Sequence, residues 1–76
     1  MKIVIEKSAV PLPGLPLRSP IEVPSGTSIR DLLHRCGPVA DGELYLLPAV
    51  NGVSTNLDRV LRDGDRLQLF RLSAGG

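Results

Sequence analysis

The sequence predicts a small α+β domain in which a mixed sheet of four to five strands packs on one main helix. Three observations carry that prediction. The chain opens on an alternating β-branched run, Lys2 to Glu6, a capped amphipathic helix pattern follows at Ser28 to Cys36, and a second alternating run, Arg66 to Leu72, lies near the end. Seventy-six residues fit one domain with a small core, since a chain of this length buries only about 60% of its unfolded surface.

Ile3 and Ile5 share one face of the first strand. Between Val10 and Pro20, the prolines at 11, 13, 16 and 20 with Gly14 deny the chain both helix and regular ladder bonding, so a long loop is expected. Ile21 to Val23 resume the alternation before Pro24, Ser25 and Gly26 make a turn, which gives a two-strand hairpin. Ser28 and Asp31 form a capping-box pattern. Ile29, Leu32, Leu33 and Cys36 then fall on one helical face, and Gly37 and Pro38 end the helix.

Glu43 to Val50 reads as a strand, and Pro48 within it implies an edge position or a bulge. Asn51 and Gly52 supply a tight hairpin turn into a short strand at Val53. Leu57, Val60 and Leu61 are expected to form one helical turn against the core. Asp63, Gly64 and Asp65 turn the chain into the last strand, with Leu67 and Leu69 on one face and Phe70 and Leu72 on the other. Ser73, Ala74, Gly75 and Gly76 carry no large apolar group, so residues 1–72 are expected to fold and 73–76 to protrude as a flexible tail.

Nine Lys and Arg against eight Asp and Glu give a net charge of +1, too balanced for dense phosphate neutralisation, so nucleic acid is not an expected partner. One cysteine permits no internal disulfide and no all-cysteine metal site. No apolar run is long enough for a bilayer span, and the alternation of the first nine residues does not suit a signal peptide, so a cytoplasmic protein without membrane association is expected.

The turn at Asp63 to Asp65, a strand ending in Leu69 and Phe70, and the Ala74, Gly75, Gly76 ending together resemble the ThiS/MoaD family of ubiquitin-like sulfur-carrier proteins. Ala49 to Gly52 look like that family's preceding strand and turn, and Thr27 to Leu33 like its capped helix. Two features depart from the family pattern: Arg71, Leu72 and Ser73 stand where many molybdopterin-type members have prolines, and the loop from Val10 to Pro20 is unusually proline-rich.

The resemblance implies a β-grasp fold and a protein co-substrate rather than an enzyme. In that family an activating enzyme adenylates the terminal carboxylate with ATP. A persulfide donor then turns it into a thiocarboxylate, which serves thiamine-thiazole or molybdenum- or tungsten-cofactor synthesis. By resemblance Gly76 carries the sulfur, and Gly75, Ala74 and Ser73 enter the partner's channel. The implied partners are the activating enzyme, the sulfur donor and a sulfur-accepting synthase, met by a monomer that binds no cofactor of its own.

The chemistry suits that ending. A free carboxylate is a poor electrophile and must first become an acyl adenylate inside another protein's active site. A tail from Arg71 to Gly76 spans on the order of 20 Å when extended, and glycine at both last positions removes side chains that would block a narrow channel. Two other readings stand beside the carrier: a ubiquitin-like modifier whose activated glycine acylates a lysine, and a β-grasp interaction module that never reacts at its terminus.

Phe70, with Leu72 and Arg71, is a candidate contact for the activating enzyme, the alternative being packing beneath a loop. Cys36 on the apolar stripe reads as a buried thiol rather than a nucleophile, and His34 as a solvated histidine rather than a metal ligand, so no metal is expected. Asp63 and Asp65 read as turn-fixing carboxylates rather than an acid/base pair or a cation site. The arginines at 59, 62, 66 and 71 are either a solvated face or a match for an acidic partner, and Leu12, Leu15 and Leu17 either fold back onto the sheet or meet a partner.

Overall fold

The first and last strands, β1 (Lys2–Ser8) and β5 (Arg66–Arg71), run parallel and side by side in the middle of the sheet. Parallel neighbours cannot be joined by a tight turn, so the intervening chain must cross over, and it does so through the helix α1 (Ile29–Arg35). The computed structural model describes residues 1–9, 14–35 and 46–71. β2 (Pro20–Glu22) lies antiparallel on the outside of β1, while β3 (Leu46–Val50) lies antiparallel to β5 and carries β4 (Val53–Ser54), giving the order β2-β1-β5-β3-β4.

Alternation decides the core. Ile3, Ile5, Leu67 and Leu69 are fully buried and pack in one cluster with Ile29, Leu32 and Leu33 of the helix. The predicted helical stripe is therefore the packed face as far as Leu33, while Cys36, Gly37 and Pro38 lie outside the described residues. The β1 strand is longer than expected, and its register against β5 slips by one residue between Ile5 and Lys7, a β-bulge.

The capping box is formed as expected. The Ser28 amide donates to Asp31 Oδ2 at 3.2 Å, and the Asp31 amide donates to Ser28 Oγ at 3.1 Å. The two preceding helical amides have no partner within a helix, and the 57–59 segment supplies one to each: Ile29 donates to the Arg59 carbonyl and Arg30 to that of Leu57.

That arrangement corrects the expectation of a helical turn over Leu57, Val60 and Leu61. The segment is a turn and a bridge instead: Asn56 Oδ1 accepts from the Asp58 amide, Val60 pairs across to Ser28, and Leu61 donates to the Thr27 carbonyl. Its carbonyls are committed to the helix start and cannot close a helix of their own. Leu57 and Leu61 are buried as expected, but Val60 is half exposed.

Pro48 also departs from expectation, since β3 is neither an edge strand nor bulged but lies between β5 and β4. Its partner β4 pairs only with Ala49 and Val50, so Pro48 sits past the end of that ladder. The expected first part of this strand, Glu43 to Tyr45, lies outside the described residues. The hairpin turn is as predicted: Asn51 and Gly52 have φ of 53° and 83°, both in the left-handed region that a two-residue turn of this hand requires.

Candidate functional site

The end of β5 is where the body meets the candidate tail. Arg71 is the last described residue of the strand, and Leu72, Ser73, Ala74, Gly75 and Gly76 lie outside the described residues. What the structure does describe is the platform from which they depart. Because β5 is a central strand paired on both sides, its position is fixed by β1 and β3 together.

Alternation along β5 sends Leu67 and Leu69 inward and Phe70 outward. Phe70 is 38% exposed and stands outside the core cluster. Directly across the strand pair from it is Leu47, 48% exposed, and Lys7 Nζ lies 5.4 Å from the centre of the Phe70 ring, within reach of a cation–π attraction. Phe70 is legible as a surface aromatic from the sequence. Leu47 and Lys7 are not, because their place beside Phe70 depends on strand register and on the bulge in β1, neither of which sequence spacing alone determines.

At the other end of β5 a polar node holds the strand's entry. Asp65 is buried; its Oδ2 accepts from the Arg62 amide at 2.7 Å and lies 3.5 Å from Arg59 Nη2, while its Oδ1 accepts from Asn51 Nδ2 at 3.1 Å. Asn51 Oδ1 in turn accepts from the Arg66 amide, so one side chain ties the β3–β4 turn to the start of β5. Asp63 Oδ1 accepts from the Lys2 amide at 2.7 Å. The two carboxylates thus hold different backbone segments, in keeping with a turn-fixing role.

Of the four arginines read as a group, Arg59 is partly buried against Asp65 while Arg62, Arg66 and Arg71 are exposed. Leu15 packs against the core, as the fold-back reading expects, whereas Leu17 is exposed and Leu12 lies outside the described residues. Arg18, next to Leu17, has a φ of 61°, an uncommon conformation for a long side chain, and its amide donates to the Ile5 carbonyl. His34 lies on the exposed side of α1. Among the described residues no three His, Cys, Asp or Glu side chains gather as metal ligands, and no helix is long and apolar enough to cross a membrane.

No protein-family model matches the sequence, and no curated protein matches it. The structure is similar to the crystal structure of SAMP1 from Haloferax volcanii, with a TM-score of 0.65, 24% sequence identity and coverage of 100% of both chains. That likeness extends over every element described above and shows a ubiquitin-like β-grasp fold, without distinguishing the ThiS/MoaD sulfur carriers from other proteins built on it.

Proposed function

We propose that this chain is a sulfur carrier whose Gly76 carboxylate is activated and then loaded with sulfur. The observation that carries the reading is a ubiquitin-like body whose central strand β5 is followed, within five residues of Arg71, by the Gly75-Gly76 pair. Reach and narrowness come from those residues; placement comes from a strand held on both sides.

The chemistry divides between the chain and its partners. A Gly76 carboxylate oxygen attacks the α-phosphorus of ATP on the activating enzyme and pyrophosphate leaves, giving an acyl adenylate. The terminal sulfur of a persulfide then attacks the acyl carbon and AMP leaves, forming an acyl disulfide. A second thiolate cleaves that S–S bond, which releases the thiocarboxylate and leaves the two thiols joined as a disulfide. The body contributes no acid or base to these steps; its part is to be gripped while the acyl end is handled elsewhere.

Intact-protein mass spectrometry of material from the native host tests this directly. The expected result is replacement of one carboxylate oxygen by sulfur at Gly76, absent when Gly76 is deleted. Recovery of Gly76 in amide linkage to lysines of other proteins, with no sulfur-bearing form, would overturn the carrier reading in favour of a modifier. A Gly75→Ala variant is expected to fold normally and to load sulfur poorly, because the added methyl narrows the fit of the tail and restricts its backbone.

A further inference from the structure

Asn51 and Gly52 form the tip of the β3–β4 turn, and an asparagine followed by a glycine is a pair at which the main chain can attack its own side chain. Glycine has no side chain to hinder its amide nitrogen, and it reaches the backbone angles that ring closure needs. In the folded turn that attack is blocked. Asn51 Nδ2 donates to Asp65 Oδ1 at 3.1 Å, Asn51 Oδ1 accepts from the Arg66 amide at 3.0 Å, and the Asn51 amide donates to the Arg66 carbonyl at 2.9 Å. Both ends of the side-chain amide are pinned to the start of β5, so Asn51 Cγ cannot swing onto the Gly52 nitrogen while those bonds hold.

Solvent is not what is kept out. Asn51 and Gly52 are exposed, and a Cβ added at Gly52 would meet nothing within 4 Å, so water and hydroxide reach the turn freely. The block is conformational, and it is supplied by residues far from Asn51 in sequence.

We infer that Asn51 is a self-modification site whose deamidation is gated by its bonds to Asp65 and Arg66, and that the modification, once made, holds the gate open. When the turn parts from β5, hydroxide takes the Gly52 amide proton and the nitrogen bonds to Asn51 Cγ. The Cγ–Nδ2 bond breaks, and ammonia leaves with a proton from water. Water then opens the succinimide ring. Cleavage of the new nitrogen–Cγ bond leaves aspartate at position 51, and cleavage of the original peptide bond leaves isoaspartate.

Neither product refastens the turn. Aspartate offers the buried Asp65 an acceptor where Asn51 offered a donor, and sets two carboxylates against each other. Isoaspartate adds a methylene to the main chain and spoils the two-residue turn. The site therefore records how often the turn has left β5, whatever becomes of Gly76.

Mass spectrometry of the full chain tests this, after incubation at mildly alkaline pH with and without denaturing urea, followed by digestion to locate the exchange of NH2 for OH. Asn51 is expected to react roughly tenfold or more slowly in the folded than in the unfolded chain. Asn56, the other asparagine, precedes the bulky Leu57 and is the reference that reacts slowly in both. Asp65→Ala frees Nδ2 and is expected to raise the folded-state rate by roughly tenfold. Urea that lowers the stability of the native chain by the same amount leaves those bonds in place and raises the rate less. Asn51→Asp reproduces the product and lowers the urea midpoint, and combined with Asp65→Asn it costs less than the sum of the two changes, because an amide donor is returned to the pair.

Equal rates at Asn51 in the folded and unfolded chain would overturn the gate. Equal acceleration by Asp65→Ala and by urea at matched stability would overturn the role of Asp65, since global unfolding would then account for the reaction. Strictly additive costs in the double variant would overturn the claim that the modification holds the gate open. If Asp65→Ala is unfolded, Asp65→Asn measures the same rate, since it keeps the side chain's size and removes the carboxylate facing Asn51.

Discussion

Leu69 and Phe70 are neighbours on one strand and belong to different parts of the molecule. Leu69 is fully buried among the helix and strand side chains, whereas the next residue faces out beside Leu47 and Lys7. The strand's period of two places a fold-determining residue and a surface aromatic next to each other. In a domain this small the sheet therefore has two unlike faces, an inner one that makes the core and an outer one on which Phe70 and Leu47 are exposed.

The contrast breaks most clearly under truncation. Leu69→Ala removes a buried side chain from a core with little to spare and is expected to cost about 2–5 kcal/mol, a large share of the stability of a 76-residue domain. Phe70→Ser, one position on, is expected to cost less, about 1 kcal/mol, because it gives up the cross-strand pair with Leu47 and the Lys7 contact but no core packing. Urea unfolding of the two variants measures both numbers, and a cost at Phe70 approaching that at Leu69 would show the ring to be part of the core.

The next effect sharpens the comparison along β5 instead of across it, setting the polar node at its start against the apolar pair at its end. Asp65→Ala leaves the Arg62 amide and the Asn51 side-chain amide without their acceptor and Arg59 without its carboxylate, at an expected cost of about 1–3 kcal/mol. Asp63→Ala frees one exposed contact, to the Lys2 amide, and should cost less. Equal losses from the two variants would contradict the assignment of Asp65 as the node that ties the β3–β4 turn to β5.

Legibility follows the range of the interactions. The capping box, the Asn51-Gly52 turn and the alternation of β5 are set by residues within a few positions of one another, and local spacing in the sequence is enough to read each of them. The 57–61 segment misleads because its hydrogen bonds go to Thr27, Ile29 and Arg30, far away in sequence, and these override the helical spacing of its apolar residues. Pro48 misleads because the shortness of β4, not an edge position, is what tolerates it. Leu47 and Lys7 are silent in the sequence for the same reason: a bulge and a strand register bring them to Phe70, and no local spacing encodes either. The tail residues Leu72 to Gly76 rest on sequence and chemistry alone, since they lie outside the described residues.

The smallest effect concerns the helix start, where sequence and structure agree most closely. Asp31 has its carboxyl held below the usual 3.8, chiefly by the hydrogen bond from the Ser28 amide and then by the Ser28 side chain, against an opposing effect of desolvation and with lesser electrostatic support from His34 and Arg35. A carboxyl with a lower folded than unfolded pKa adds stability that is present above 3.8 and disappears as the pH falls through the lowered folded value. Asp31→Asn should therefore be slightly less stable than the native chain at neutral pH, and the gap should close as the solution is acidified through that range. Ser28→Ala, which removes the hydroxyl that accepts from the Asp31 amide, should weaken the same acid dependence without abolishing it, because the Ser28 amide still donates to the carboxylate. Urea midpoints for the three proteins across the acid limb provide the check: a difference between native and Asp31→Asn protein that stayed constant with pH would mean that the carboxylate's charge contributes nothing to holding the helix start.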